Sequence, residues 1–193
     1  FPYTTLFRSS QQPSFLQAQT GLGKTYGYLL PALAQTSKQI LVTVPTKVLQ
    51  DQIVANEGQK LEEIFHLSVH SLKSPANYLK LDFFYDSLQR VDDNRLVNRC
   101  KMLLLVWLTE TESGDLDEIG QRHRYQTYFQ QVLHDGKLSK KSLFYGADFW
   151  QKGQEKSKRS RVLVTNHAYF LTRLEDDKSI LENRLLIVDE AQK

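Results

Sequence analysis

Eight consecutive residues, Ala18-Gln19-Thr20-Gly21-Leu22-Gly23-Lys24-Thr25, restrict the fold of this chain more than any other stretch. They follow the A-x-x-G-x-G-K-T form of a phosphate-binding loop, with Ala18 where the general G-x-x-x-x-G-K-[ST] pattern has its first glycine. Gly21 and Gly23 permit backbone conformations and a close approach that a Cβ would forbid. Successive N–H groups can then point at phosphate oxygens, at the positive end of the following helix. Lys24 is placed to reach the β- and γ-phosphates of ATP, and the Thr25 hydroxyl to ligand Mg²⁺. Thr20, Gly21, Gly23, Lys24 and Thr25 are therefore the expected nucleotide set. Phe15-Leu-Gln-Ala18 before the loop is apolar enough for a buried strand. Residues 25–34 after it read as a helix, bent or interrupted at Pro31.

Further along, the pattern of a parallel α/β sheet repeats. Gln39-Ile-Leu-Val-Thr-Val44 is a continuous apolar, β-branched run, as in a strand covered on both faces. Residues 47–65 read as a helix that Gly58 breaks or kinks, and 66–72 alternate like a third strand. Arg161-Val-Leu-Val-Thr165 is another buried strand, followed by a helix from Asn166 to Leu174. Arg184-Leu-Leu-Ile-Val188 is a strand ending in Asp189 and Glu190. Strands alternating with helices give a parallel sheet, whose ligands bind at the carboxyl ends of the strands. The loop and the Asp189-Glu190 pair both fall there. Asp189 can hold Mg²⁺ opposite Thr25, and Glu190 can polarise the water that attacks the γ-phosphate, so Lys24 and Glu190 are the expected catalytic pair.

Between residues 73 and 160 the strand–helix alternation stops. Helices are expected over 96–109 and 122–134, with an acidic, turn-rich run from Thr111 to Ile119 and a turn at Asp135-Gly136. This segment reads as a largely helical domain inserted into a sheet built from 10–72 and 161–193. The first nine residues resemble the translation of a sequencing adapter and are set apart from fold reasoning. Together with a stop at Lys193, just after an apparent catalytic motif, they suggest a fragment of a longer gene.

Composition adds bounds. Lys and Arg total 25 against 22 Asp and Glu, a net charge of +3 that does not by itself indicate nucleic acid. One cysteine, Cys100, rules out an internal disulfide framework and suits a reducing cytoplasm. It reads as a buried apolar residue. No apolar run approaches the roughly 20 residues that span a bilayer, so no membrane partner is expected. The five histidines form no metal-ligand spacing with Cys100. Residues 137–161 carry eight basic groups and two acids, interleaved with Phe144, Tyr145, Phe149 and Trp150. Such a run could bind nucleic acid through Lys152 and Lys156, or could equally be a solvated face over a small aromatic core.

The loop, Thr46 with Leu49-Gln50-x-Gln52, Gly114-Asp-Leu-Asp-Glu118 within 111–119, Thr165-Asn-His-Ala168 and Val188-Asp-Glu-Ala191 occur in the order found in DinG-type helicases. The chain resembles that XPD-like branch of superfamily 2 over residues 11–193. The resemblance implies a first RecA-like lobe carrying motifs I, Ia and II, and ATP-driven translocation on single-stranded DNA with duplex unwinding. Single-stranded DNA or duplex–single-strand junctions are the expected partners, with Thr46 and Gln52 against the DNA backbone. Unlike the family's Asp-Glu-Ala-His box, the chain has Gln192. It also has Lys80 where many members have the first of four cluster cysteines, so no iron–sulfur cluster is expected. Two alternatives remain: an ATP-regulated module of a DinG-like 3′-5′ exonuclease, or a DNA-binding ATPase that does not unwind.

Overall fold

The computed structural model describes residues 23–120 and 122–191, and every structural statement refers to those residues. The Phe15–Ala18 strand, the loop residues Ala18 to Leu22, the first nine residues and Gln192 lie outside them. The described residues divide into two units, one running up to Ser71 and resuming at Arg159, the other Leu72–Lys158.

The first unit is an α/β sheet. Helix α1 (Lys24–Gln35) is followed by β1 (Gln39–Val44), then by α2 (Lys47–Gln52), a π-helical segment Ile53–Gly58, and α3 (Gln59–Phe65). Strand β2 (Val69–Ser71) comes next. After the second unit the chain resumes with β3 (Val162–Asn166), α8 (His167–Asp176) and β4 (Arg184–Val188). The strands lie in the order β2-β3-β1-β4, all parallel, with Ile40 opposite both Val162 and Leu185. The core follows from the apolar runs. Ile40, Val42 and Val44 of β1 and Val162 and Val164 of β3 pack with Leu29 and Ala32 of α1 and with Ile53 and Leu61.

Two local expectations change. Helix α1 runs without interruption through Pro31. Gly58 does not break the helix: its backbone stays right-handed, at the end of the π-helical segment. The reason for glycine is contact, because a Cβ there would meet the Val69 side chain at 3.2 Å.

The second unit is mostly helical: α4 (Leu81–Leu88), α5 (Arg95–Glu110), α6 (Gln126–Val132) and α7 (Phe149–Arg159), joined by short 3₁₀ turns. It has its own core, in which Leu79, Phe84, Cys100, Leu104, Leu116, Tyr128 and Phe129 meet. Burial pushes the Cys100 thiol up to about 11, as expected of an apolar core residue. The unit also buries three lysine ammonium groups, Lys73, Lys80 and Lys101, each with partners. Lys73 pairs with Asp115. Lys80 meets Asp135 at 3.0 Å and the Lys137 carbonyl. Lys101 donates to the carbonyls of Ser87 and Arg90 at 2.6 and 3.1 Å.

Candidate nucleotide site at the strand ends

The site begins where α1 does. Gly23, the residue before the helix, has φ +67°, a left-handed backbone that glycine adopts without strain. Lys24 and Thr25 then form the first turn. On the facing element, the Asp189 N–H donates to the Thr43 carbonyl at 2.9 Å, extending the β1–β4 ladder one residue past the strand. Glu190 follows with φ +52°, a conformation uncommon outside glycine. The parallel sheet thus brings two stretches far apart in sequence to one edge. The Lys24 ammonium lies 3.6 Å from the Glu190 carboxylate, with a quarter of the lysine side chain exposed.

A residue absent from the sequence-based set joins them. Tyr28 donates its phenolic hydrogen to Asp189 Oδ2 at 3.3 Å. Burial, then the neighbouring Asp189 charge, raises the Tyr28 pKa well above the usual phenol range, so the ring keeps its proton. Its sequence signal is the three-residue spacing from Thr25, which puts both side chains on one helix face.

The remaining candidates are dispersed. Thr46 caps α2, its hydroxyl accepting the Leu49 N–H at 3.2 Å. Gln52, the last residue of α2, is exposed. The more constrained glutamine is Gln50, which is fully buried. It donates to Ser71 Oγ at 2.9 Å and to the Val164 carbonyl at 3.0 Å, and accepts from Asn166 at 3.2 Å. Asn166 in turn caps α8 through the Tyr169 N–H. The ends of β2 and β3 and the starts of α2 and α8 are therefore tied together by one amide pair. His167 hydrogen-bonds Thr43 Oγ1 at 3.1 Å through Nδ1, a strand-end role.

Lys152 and Lys156 belong to the second unit, one turn apart and exposed on α7. The aromatic residues around them are largely spent on protein contacts. Phe144 packs on Tyr85, Trp150 on His134, and Phe149 carries the Lys152 ammonium over its ring at 5.8 Å. Phe144, Phe149 and Trp150 are half-buried. Among the described residues no helix is long and apolar enough to cross a membrane, and no three His, Cys, Asp or Glu side chains gather as a metal cluster.

The DEAD/DEAH box helicase family profile matches residues 4–105. The chain belongs to the DEAD/DEAH box helicase family. Within that family it is similar to the protein named 3′-5′ exonuclease DinG from Bacillus subtilis (strain 168), with 30% identity over 190 residues, 95% of this chain and 20% of the relative. The protein of the same name from Staphylococcus aureus (strain USA300) is 28% identical over 193 residues, covering 94% of this chain and 20% of the relative. The chain thus spans about a fifth of the length of these helicase-family relatives.

Proposed function

We propose that this chain is the ATP-binding lobe of a DinG-type helicase, which couples ATP hydrolysis to movement along single-stranded DNA and to strand separation. The observation that carries the reading is the meeting of helix α1 with the residues after β4, Lys24 with Glu190 and Tyr28 with Asp189. Thr20, Gly21 and Gly23 would offer backbone N–H groups to the phosphates, and Lys24 would leave Glu190 for the β- and γ-phosphates. Thr25 and Asp189, both hard oxygen donors, suit Mg²⁺. Bound there, Mg²⁺ would neutralise charge developing on the transferred phosphoryl group. Glu190, released from Lys24, would orient the attacking water and take its proton as the bond to the β-phosphate breaks.

Thr46, just past the carboxyl end of β1, and Gln52, at the end of α2, are the proposed DNA-backbone contacts in this unit; Lys152 and Lys156 on α7 are those of the other unit. A cluster-free inserted domain is supported by the single, buried cysteine and by Lys80 engaged with Asp135. A second reading, an ATP-regulated module of a 3′-5′ exonuclease, is supported by the printed name of the relatives.

The test is ATP hydrolysis by the full-length protein with and without single-stranded DNA. DNA-stimulated turnover that disappears in Lys24→Ala is the expected result; turnover at the wild-type rate in that variant would sink the assignment. DNA degradation from a 3′ end, modulated by ATP without strand displacement, would favour the second reading.

A further inference from the structure

We infer that Tyr28 is a positioning residue for the divalent cation that accompanies the nucleotide, acting through Asp189. The inference rests on the ATP-site reading and goes beyond it. A hydroxyl has one hydrogen and two lone pairs, and a hard cation binds the lone pairs. Thr25, three residues before Tyr28 on the same helix, is the other proposed oxygen ligand of that cation. The Tyr28 hydrogen is committed to Asp189 Oδ2, which fixes the carboxylate rotamer while Oδ1 is left out of that bond. The Asp189 backbone is already held by its N–H donation to Thr43. Side-chain rotation is the freedom left to Asp189, and the phenol removes it.

Phenylalanine keeps the ring and deletes the hydrogen bond to Asp189, which makes Tyr28→Phe the informative change. Binding of a fluorescent ADP to the full chain would be measured in EDTA and across a Mg²⁺ titration, with Mn²⁺ binding followed by electron paramagnetic resonance. Groups that orient a metal ligand typically cost 10–100-fold in metal affinity when removed. The Mg²⁺ concentration giving half the metal-dependent gain should therefore rise about tenfold, with Mn²⁺ affinity falling in parallel and metal-free ADP affinity within about twofold of wild type. A Mg²⁺ midpoint that is unchanged or lower in Tyr28→Phe overturns the inference. So does an equal loss with and without metal, or a large drop in melting temperature with such a loss, either of which would mark Tyr28 as packing alone. A wild-type chain that binds no ADP at any Mg²⁺ concentration would instead remove the ATP-site reading itself.

Discussion

The two units handle charge in opposite ways. The sheet unit keeps an apolar core and places its Lys24–Glu190 pair at the strand ends, 3.6 Å apart and with side chains 26% and 17% exposed. The helical unit draws charge inward. The Lys73 side chain is 5% exposed against Asp115, and the His134 side chain is fully enclosed beside Asp148, 3.1 Å away. Partly hydrated pairs contribute little and are readily exchanged for a ligand. A buried pair is costly to form, but it is far costlier to leave half of it behind. The difference separates a pair that the proposed ATP site would open from pairs whose two charges stay enclosed together.

Lys73→Ala should show this most strongly. Asp115 would remain enclosed without its cation, a loss of about 3–5 kcal/mol. Burial already lifts the Asp115 carboxyl above its ordinary range, against the hydrogen bond from Lys73, so removing the lysine removes what opposes that cost. Denaturant unfolding would measure it, and a loss of less than about 1 kcal/mol would place the pair with the exposed class.

Gly114→Ala tests packing beside the same pair. Gly114 has φ +68°, and an added Cβ would sit 2.0 Å from Phe149 Cγ. Overpacking of this kind costs about 1–3 kcal/mol, and the positive φ adds to it. An alanine variant that melts with the wild type would mean that α7 shifts freely away.

The His134–Asp148 pair should respond to pH. Burial alone would raise the Asp148 carboxyl, but hydrogen bonds from His134 and the Gln151 N–H outweigh it and hold the pKa below the ordinary value. A group held low in the folded state lends stability that is present above its unfolded pKa, about 3.9, and lost as pH falls through the folded value. Unfolding midpoints should therefore fall on acidification below about pH 4. Asp148→Asn should be less stable at neutral pH and flatter in that range; an acid drop as steep as wild type would shift the effect to other carboxylates.

Lys24→Ala, which should abolish turnover, is expected to change unfolding free energy by no more than about 0.5 kcal/mol. A loss comparable to that of Lys73→Ala would erase the distinction between the two units.

Much of the sheet could be read in the sequence because its strands are continuous apolar runs, buried throughout in β3 and from Ile40 on in β1, though β4 leaves Leu185 and Val188 exposed. The runs at 39–44, 161–165 and 184–188 need no partner information to stand out. Strand β2 is shorter than the 66–72 alternation suggests, since His66 takes a left-handed cap and the pairing with β3 starts only at Val69. Helix α7 was hidden for the opposite reason. After Phe149 and Trp150 its residues are polar on every side, so no apolar period marks it. The loop and the Asp189-Glu190 pair were legible because spacing and residue type carry their chemistry. Tyr28 and Gln50 were not assigned roles, because each depends on partners the fold supplies: Asp189 for one, Ser71, Val164 and Asn166 for the other.

The parallel pairing of β2 with β3 has a consequence for how the molecule could be cut and rejoined. Parallel neighbours always require a crossover, and here the whole of Leu72–Lys158 is that crossover. The sheet asks of it only that the chain leave after Ser71 and come back before Val162, where the Ser68 carbonyl accepts the Arg161 and Val162 N–H groups. Closure entropy grows slowly with loop length, so length is a weak constraint. The inserted unit can therefore be treated as a removable cassette: a single helix could bridge the same two points, and the same two points could receive a different domain.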